Sequence, residues 1–200
     1  MTALRKTQIA LISDAAPFAI RAARASDVVA REALLDACFG ENRSLRTCQR
    51  LRDGRAPAEG LALSAIAEGR LVGAVRLWHV SAGGARALVL GPLAVDPSCR
   101  NLGIGAALIN HALAGAKRRG HTAVILLGDA PYYARFGFSA RKTGELSLPG
   151  PFERDRLLGL ELSEGALDGA SGVVVPGCPS LLKIKATRTK KAPRAVPRAA

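Results

Sequence analysis

Between Leu90 and Ala106 the chain reads L-G-P-L-A-V-D-P-S-C-R-N-L-G-I-G-A, an apolar strand that runs into a glycine turn and opens a helix. Gly103 and Gly105 let the backbone approach a ligand without a Cβ in the way. The first amides of the following helix have no acceptor within it and point outward with the positive end of the helix dipole. A turn of this kind is an anion cradle, and phosphate is its natural guest. It also requires an α/β fold, because a strand must deliver the chain to the turn and a helix must carry it away.

Two common glycine motifs do not account for it. A dinucleotide fingerprint needs a third glycine where Leu108 stands, and a P-loop needs Lys-Ser or Lys-Thr where the chain has Ala106-Ala107. The block instead reads Arg100-x-x-Gly103-x-Gly105-Ala106 after a strand ending Leu93-Ala94-Val95-Asp96-Pro97. It resembles the acetyl-CoA-binding block of the GNAT superfamily of N-acetyltransferases, [QR]-x-x-G-x-[GA] after a strand of the L-x-V-x-P type. Residues 128–138, G-D-A-P-Y-Y-A-R-F-G-F, are similar to that family's Y-x-x-x-G-F segment through Tyr133, Gly137 and Phe138. The resemblance covers roughly residues 18–140 and implies a small stand-alone bacterial enzyme.

With 200 residues, 48% of them apolar, the chain can fill one domain but hardly two. No apolar run approaches the roughly 18 residues that cross a bilayer. Asp14 interrupts the only N-terminal apolar stretch, so the expectation is a soluble cytoplasmic protein with no membrane contact. Cys38, Cys48, Cys99 and Cys178 show neither C-x-x-C spacing nor histidines at ligand intervals, and read as free thiols with no metal site. The net charge is +13, but Lys183, Lys185, Arg188, Lys190, Lys191, Arg194 and Arg198 supply seven of these charges, leaving +6 for the first 182 residues. The expected organisation is a leader over 1–17, an N-acetyltransferase domain over 18–182 and a basic, disordered tail over 183–200.

Periodicity places a strand at 18–23, then an amphipathic helix from an N-cap at Ser26 to Phe39 with Ala30, Ala33, Leu34 and Ala37 inward. A second helix is expected over 43–51 and a loop over 54–60. Leu61–Glu68 and Leu71–Val80 read as a hairpin turning at Gly69-Arg70, with a further turn at Gly83-Gly84 before a strand over 87–95. The cradle helix spans 103–119, and Ala123–Leu127 is a covered strand lying parallel to 87–95 through a right-handed crossover. A short helix begins at Pro131, a strand starts at Gly137-Phe138, and last strands are expected at 157–162 and 172–175. The fold class is α/β (α+β): a mixed, mostly antiparallel sheet covered by helices, with one parallel crossover at the cofactor site.

The resemblance implies that acetyl-CoA is the co-substrate. Its pantetheine arm would pair with the main chain of Leu93, Ala94 and Val95. The amides of Arg100, Asn101, Leu102, Gly103, Ile104, Gly105 and Ala106 would hold its pyrophosphate, and Arg135, Lys117 or Arg118 its 3′-phosphate. Tyr133 matches the family tyrosine that protonates the departing sulfur, with Tyr132 the neighbour that a one-residue slip would substitute. A strand amide near Val95 would stabilise the oxyanion.

Many relatives place a glutamate on the strand before the cradle, whereas Leu88-Val89-Leu90-Gly91-Pro92 contains no acid, which leaves open a water relay to Glu41 or to the backbone, His79, or an intrinsically less basic acceptor amine. Trp78 reads as core or as a wall of the acceptor pocket. Arg43, Arg46, Arg50, Arg52 and Arg55 make the segment that sets acceptor choice basic, which favours an acceptor carrying a carboxylate or phosphate. The expected reaction is direct acetyl transfer to a small-molecule or protein amine. Two alternatives stand beside it: a module that contacts RNA or the ribosome through the tail, and a relative that binds acyl-CoA without turnover. A homodimer remains open.

Overall fold

The computed structural model describes residues 17–177; the proposed leader up to residue 16, Cys178 and the basic tail lie outside them. The chain runs β1 (Ala19–Ala22), α1 (Val28–Phe39), β2 (Ala62–Ala67), β3 (Arg70–Ala82), β4 (Ala85–Val95), α2 (Ile104–Arg118), β5 (Ala123–Leu127), α3 (Ala130–Ala134), β6 (Leu146–Ser147), β7 (Leu157–Glu161) and β8 (Gly172–Pro176). Strands lie in the order β1-β2-β3-β4-β5-β7, and β8 joins the far end of β3. All pairs are antiparallel except β4/β5 and a two-residue ladder between β6 and β8.

Strand alternation sorts the core onto two faces. Leu88, Leu90, Val124 and Leu126 turn toward Leu108, Ala112 and Ala116 of α2, while Ala87, Val89, Ala123 and Ile125 turn the other way onto Trp78, Leu157 and Val174. α2 lies close on the sheet because Gly73 of β3 has no side chain; a Cβ there would come within 2.8 Å of Ile104 Cγ2. That contact holds the start of α2, and with it the cradle, against the sheet.

Several elements differ from expectation for local reasons. The first hairpin turns at Glu68-Gly69 instead of Gly69-Arg70, with both residues at positive φ (49° and 75°) as a two-residue type I′ turn requires. The 43–51 segment is two 3-10 turns, Glu41–Leu45 and Thr47–Leu51, separated by Arg46 in extended conformation (ψ 142°). Cys48 and Leu51 stand three residues apart, the repeat of that tighter helix. No strand starts at Gly137-Phe138: Gly137 has φ 88°, Phe138 is buried, and only Ser139 bridges to Gly159 before a 3-10 turn.

In α1 the inward face is Leu34 and Leu35, flanked by the half-buried Arg31 and Cys38, while Ala30, Ala33 and Ala37 are exposed. Ser26 does not cap this helix. Asp27 ties the entry down, its carboxylate accepting two bonds from Arg21 (2.7 Å each), one from the Arg24 amide (2.9 Å) and one from the Ser64 hydroxyl (2.8 Å). Asp27 retains 6% exposure, so its loss strands several donors. Asp27→Asn should cost about 2–3 kcal/mol in stability.

The Arg21 guanidinium holds the Asp27 carboxyl well below the usual carboxylate range. The stabilisation is therefore complete above the unfolded pKa of about 3.9 and disappears as pH falls toward the folded value. Thermal unfolding of both forms from pH 7 to pH 2 should give a gap that closes below about pH 4; a gap independent of pH would refute the ion pair as its source.

Candidate active site

The cradle is built from its own backbone. Past β4, the Asp96 carboxylate accepts bonds from Ser98 N (2.9 Å) and Ser98 Oγ (2.7 Å), and its amide donates to Val72 O (2.9 Å), anchoring the loop to β3. Asn101 (φ 69°) and Gly103 (φ 75°) then take left-handed conformations that turn the chain into α2. The first backbone bond of the helix runs from Ala107 N to Gly103 O (2.9 Å), so the amides of Gly103, Ile104, Gly105 and Ala106 stand outside its ladder. Ile104 is buried beneath the turn, and Arg100, Asn101, Leu102 and Gly103 are exposed around it. A Cβ at Gly103 would meet nothing within 4 Å. Open space, outward amides and an exposed arginine are what a diphosphate needs.

Beside the cradle the sheet opens. β4 and β5 pair only at Leu88↔Val124 and Val89↔Ile125, leaving Leu90 to Val95 without a strand partner on that side. A register shift opposite Ala74–Arg76 puts a bulge at Pro92-Leu93, and bulges commonly re-aim a strand next to a site. The cleft widens into a cavity of about 810 Å³ lined by Leu90 to Leu93, by Leu127, Gly128, Asp129 and Tyr133, by the 3-10 turns after α1, and by Pro151, Phe152 and Glu153. Leu93 lines it, whereas Ala94 is buried and the Val95 carbonyl accepts the Cys38 thiol (3.4 Å). Pro92 has no N–H, so of the two bulge residues only Leu93 carries an amide, two residues short of the expected Val95.

Tyr133 lies on α3, whose start is capped by Asp129 accepting from Tyr132 N (3.2 Å). Its ring seats on Gly128, where a Cβ would come within 2.4 Å of Cε2, and meets Phe138 edge-on at 5.9 Å. Burial, followed by the neighbouring Tyr132 and Asp129, pushes the phenol up to about 12. Its hydroxyl makes no hydrogen bond to the protein among the described residues. Tyr132 points the other way: its hydroxyl would lie 2.9 Å from a Cβ at Gly105, and the Arg135 guanidinium stacks on its ring at 4.1 Å. The two tyrosines thus divide the cleft, Tyr133 toward the cavity and Tyr132 toward the cradle. Arg135 stays near the cradle with Tyr132. Lys117 and Arg118 stand in the last turn of α2, about 20 Å along the helix axis from the cradle, and are not brought to it.

The proton acceptors named from sequence are also elsewhere. The His79 and His121 rings face each other at 5.3 Å beyond the C-terminal end of α2, and burial favours the neutral form of both. Glu41 does not line the cavity; its lining carboxylates are Asp129 and Glu153.

The cavity is basic: Arg43, Arg46 and Arg52 line it from the turns after α1, and Arg156 lines it beside Gly128, whose carbonyl its Nε reaches (3.5 Å). Arg52 lies over Gly91, where a Cβ would be 2.7 Å from Nη1, and over the Trp78 ring at 5.2 Å. Trp78 is core, 4% exposed, with Arg76 against it also at 5.2 Å. A glycine inside a strand signals close approach of something, so Gly91 was readable as a contact point; that Arg52 is the partner was not.

Known proteins agree with this geometry. The model of the Acetyltransferase (GNAT) family matches residues 29–138. The chain is 30% identical over 145 residues to the uncharacterised N-acetyltransferase YhbS of Escherichia coli strain K12, covering 72% of this chain and 86% of that one. The crystal structure of E. coli YhbS in complex with CoA superposes with a TM-score of 0.70 at 29% identity, covering 82% of this chain and 91% of that one. A GNAT family acetyltransferase from Brucella melitensis in complex with acetyl-CoA gives a TM-score of 0.54 at 26% identity, covering 73% and 97%. The outward amides after β4, the parting of β4 from β5 and the tyrosine at the mouth of the cleft thus have a common explanation: the chain belongs to the GNAT family of N-acetyltransferases.

Proposed function

We propose that this protein transfers an acetyl group from acetyl-CoA directly to a primary amine in a ternary complex, within a catalytic unit spanning residues 18–182 and in the cytoplasm, where acetyl-CoA is consumed by such enzymes. The observation that carries the reading is the parting of β4 from β5, which joins the cradle to a cavity lined by Tyr133. One cleft thereby has room for a phosphate-bearing thioester on one side and an amine on the other.

The amides of Gly103 to Ala106 hold the pyrophosphate, with the exposed Arg100 adding charge. The unpaired edge of β4 takes the amide-bearing pantetheine arm in place of a strand. The Leu93 N–H faces the charge that develops on the carbonyl oxygen as the amine nitrogen attacks the carbonyl carbon. When the carbon–sulfur bond breaks, the Tyr133 hydroxyl donates its proton to the sulfur and regains one from solvent. The amine must first shed its own proton; for a lysine-like amine at pH 7 this costs about 4.6 kcal/mol. Asp129, Glu153 and solvent in the cavity are the groups able to take that proton.

Initial velocities measured across a panel of primary amines, with both substrates varied, should give intersecting double-reciprocal lines and one free CoA thiol per N-acetyl product. Parallel lines would replace direct transfer with an acetyl-enzyme. Tight acetyl-CoA binding without thiol release from any amine would favour a non-catalytic acyl-CoA binder.

A further inference from the structure

The arginines around the cavity are not equivalent. Arg43 is neutralised by Glu32 and Asp36 (2.6 Å each), and Arg156 meets Glu153 at 3.4 Å. Arg52 has no carboxylate within ion-pair distance among the described residues. Its Nε donates to the Cys48 carbonyl (3.1 Å) and its Nη2 to the Gln49 side-chain carbonyl (2.9 Å), both neutral; the Trp78 ring lies against it, and Asp53, which accepts from the Gln49 amide, attracts it only from beyond ion-pair distance. Arg46, at the rim, has among the described residues only the Phe39 carbonyl (3.3 Å) and the Phe39 ring (5.1 Å). Burial draws the Arg52 guanidinium down from its ordinary pKa, and Arg76, behind the same tryptophan, is drawn down to about 10, with further arginines adding to the effect. A desolvated cation held by neutral groups is a poor stabilising device and a good receptor for an anion.

Its position makes that anion relevant to the reaction. Arg52 Nη1 lies against Gly91, and Leu93, whose amide takes the oxyanion role in the proposed reaction, is two residues along the same strand, on the order of 7 Å away. An anionic group hydrogen-bonded to Arg52 would leave an amine a few bonds away within reach of the thioester.

We propose that Arg52, assisted by Arg46 at the rim, forms an oxyanion subsite that selects small primary amines bearing a carboxylate or a phosphate within a few bonds of the nitrogen. This inference rests on the amine acetyltransferase reading. The planar guanidinium receives either oxyanion through parallel N–H donors, and the basic wall repels polycationic amines.

The test uses matched acceptors: β-alanine against β-alaninamide for the carboxylate, and phosphoethanolamine against ethanolamine for the phosphate. In the native protein kcat/KM should favour at least one anionic member by tenfold or more, and which pair responds identifies the oxyanion. In Arg52→Gln that ratio should fall toward one through KM, with partial recovery in Arg52→Lys; Arg46→Gln should lower it less. Turnover of neutral and anionic partners at equal efficiency, or equal loss of both in Arg52→Gln, would overturn the subsite and leave acetyl transfer standing.

A calorimetric titration of phosphoethanolamine and β-alanine into CoA-saturated protein reads the subsite without turnover. Binding of either that is lost in Arg52→Gln supports the subsite even if no amine is acetylated. Absence of binding by both in the native protein overturns it. Should Arg52→Gln fail to fold, the native selectivity and the Arg46→Gln ratio decide alone.

Discussion

Replacing Tyr133 with phenylalanine is expected to lower kcat by about 10²- to 10³-fold while acetyl-CoA binds with its native affinity. The ring carries the packing on Gly128 and Phe138, and phenylalanine keeps that ring, so the fold and the cleft survive. What is lost is a cavity-wall hydroxyl that, among the described residues, makes no hydrogen bond and in the proposed reaction gives its proton to the departing sulfur.

The pH dependence makes the role testable beyond a simple loss of rate. Because burial holds the phenol near 12, it stays protonated through neutral and mildly alkaline solution. The native kcat/KM should therefore rise with pH as the amine sheds its proton, with no falling limb near pH 10, where an ordinary tyrosine ionises. The phenol is a weaker acid than a free thiol of pKa about 8.5, so complete transfer is uphill at equilibrium and the hydroxyl acts on the developing thiolate as the bond breaks. Unchanged kcat in Tyr133→Phe would remove Tyr133 from the mechanism. Loss confined to acetyl-CoA affinity would make it a cofactor contact instead.

The second large effect is expected at the cradle. Gly103→Glu should weaken acetyl-CoA binding by at least about 100-fold, by the sum of two costs. A side chain at φ 75° costs about 1–2 kcal/mol in backbone conformation. The carboxylate then competes with the diphosphate for the same outward amides and repels it. Since a Cβ at Gly103 meets nothing within 4 Å, the loss does not come from a clash within the protein, and the variant should remain folded. Gly103→Asn, which tolerates the left-handed region, should retain most of the affinity. Calorimetric titration with acetyl-CoA beside thermal unfolding separates these effects; native affinity in a folded Gly103→Glu protein would refute the cradle as the phosphate site.

How much of this was legible beforehand follows the range of the interactions involved. The strand–turn–helix at 90–106, the Gly83-Gly84 turn, α2 and the covered strand β5 were all readable, because each depends on residues within a few positions of one another. The inward face of α1 was misread because alanine carries too little hydropathy to mark a side. Arg31, which looks polar, buries its stem to 11% side-chain exposure while its head meets Glu32 at 2.8 Å. The segment after α1 offered only three-residue spacing and became two 3-10 turns shaped by contacts with 149–151, among them Arg50 to the Pro149 carbonyl (2.5 Å).

Sequence alone determined that a glycine turn with outward amides sits between a strand and a helix, and that Tyr133 follows it at the family's spacing. Tertiary structure alone decided which tyrosine faces the cavity, that His79 and Glu41 are absent from it, and that Arg52 lies over Gly91 with no ion pair among the described residues while Arg43 is spent on Glu32 and Asp36. The division is physical: turns and helix starts are governed by local dihedral angles and backbone bonds, which sequence spacing encodes. Whether a charge is paired, or a hydroxyl free, depends on neighbours brought from distant parts of the chain.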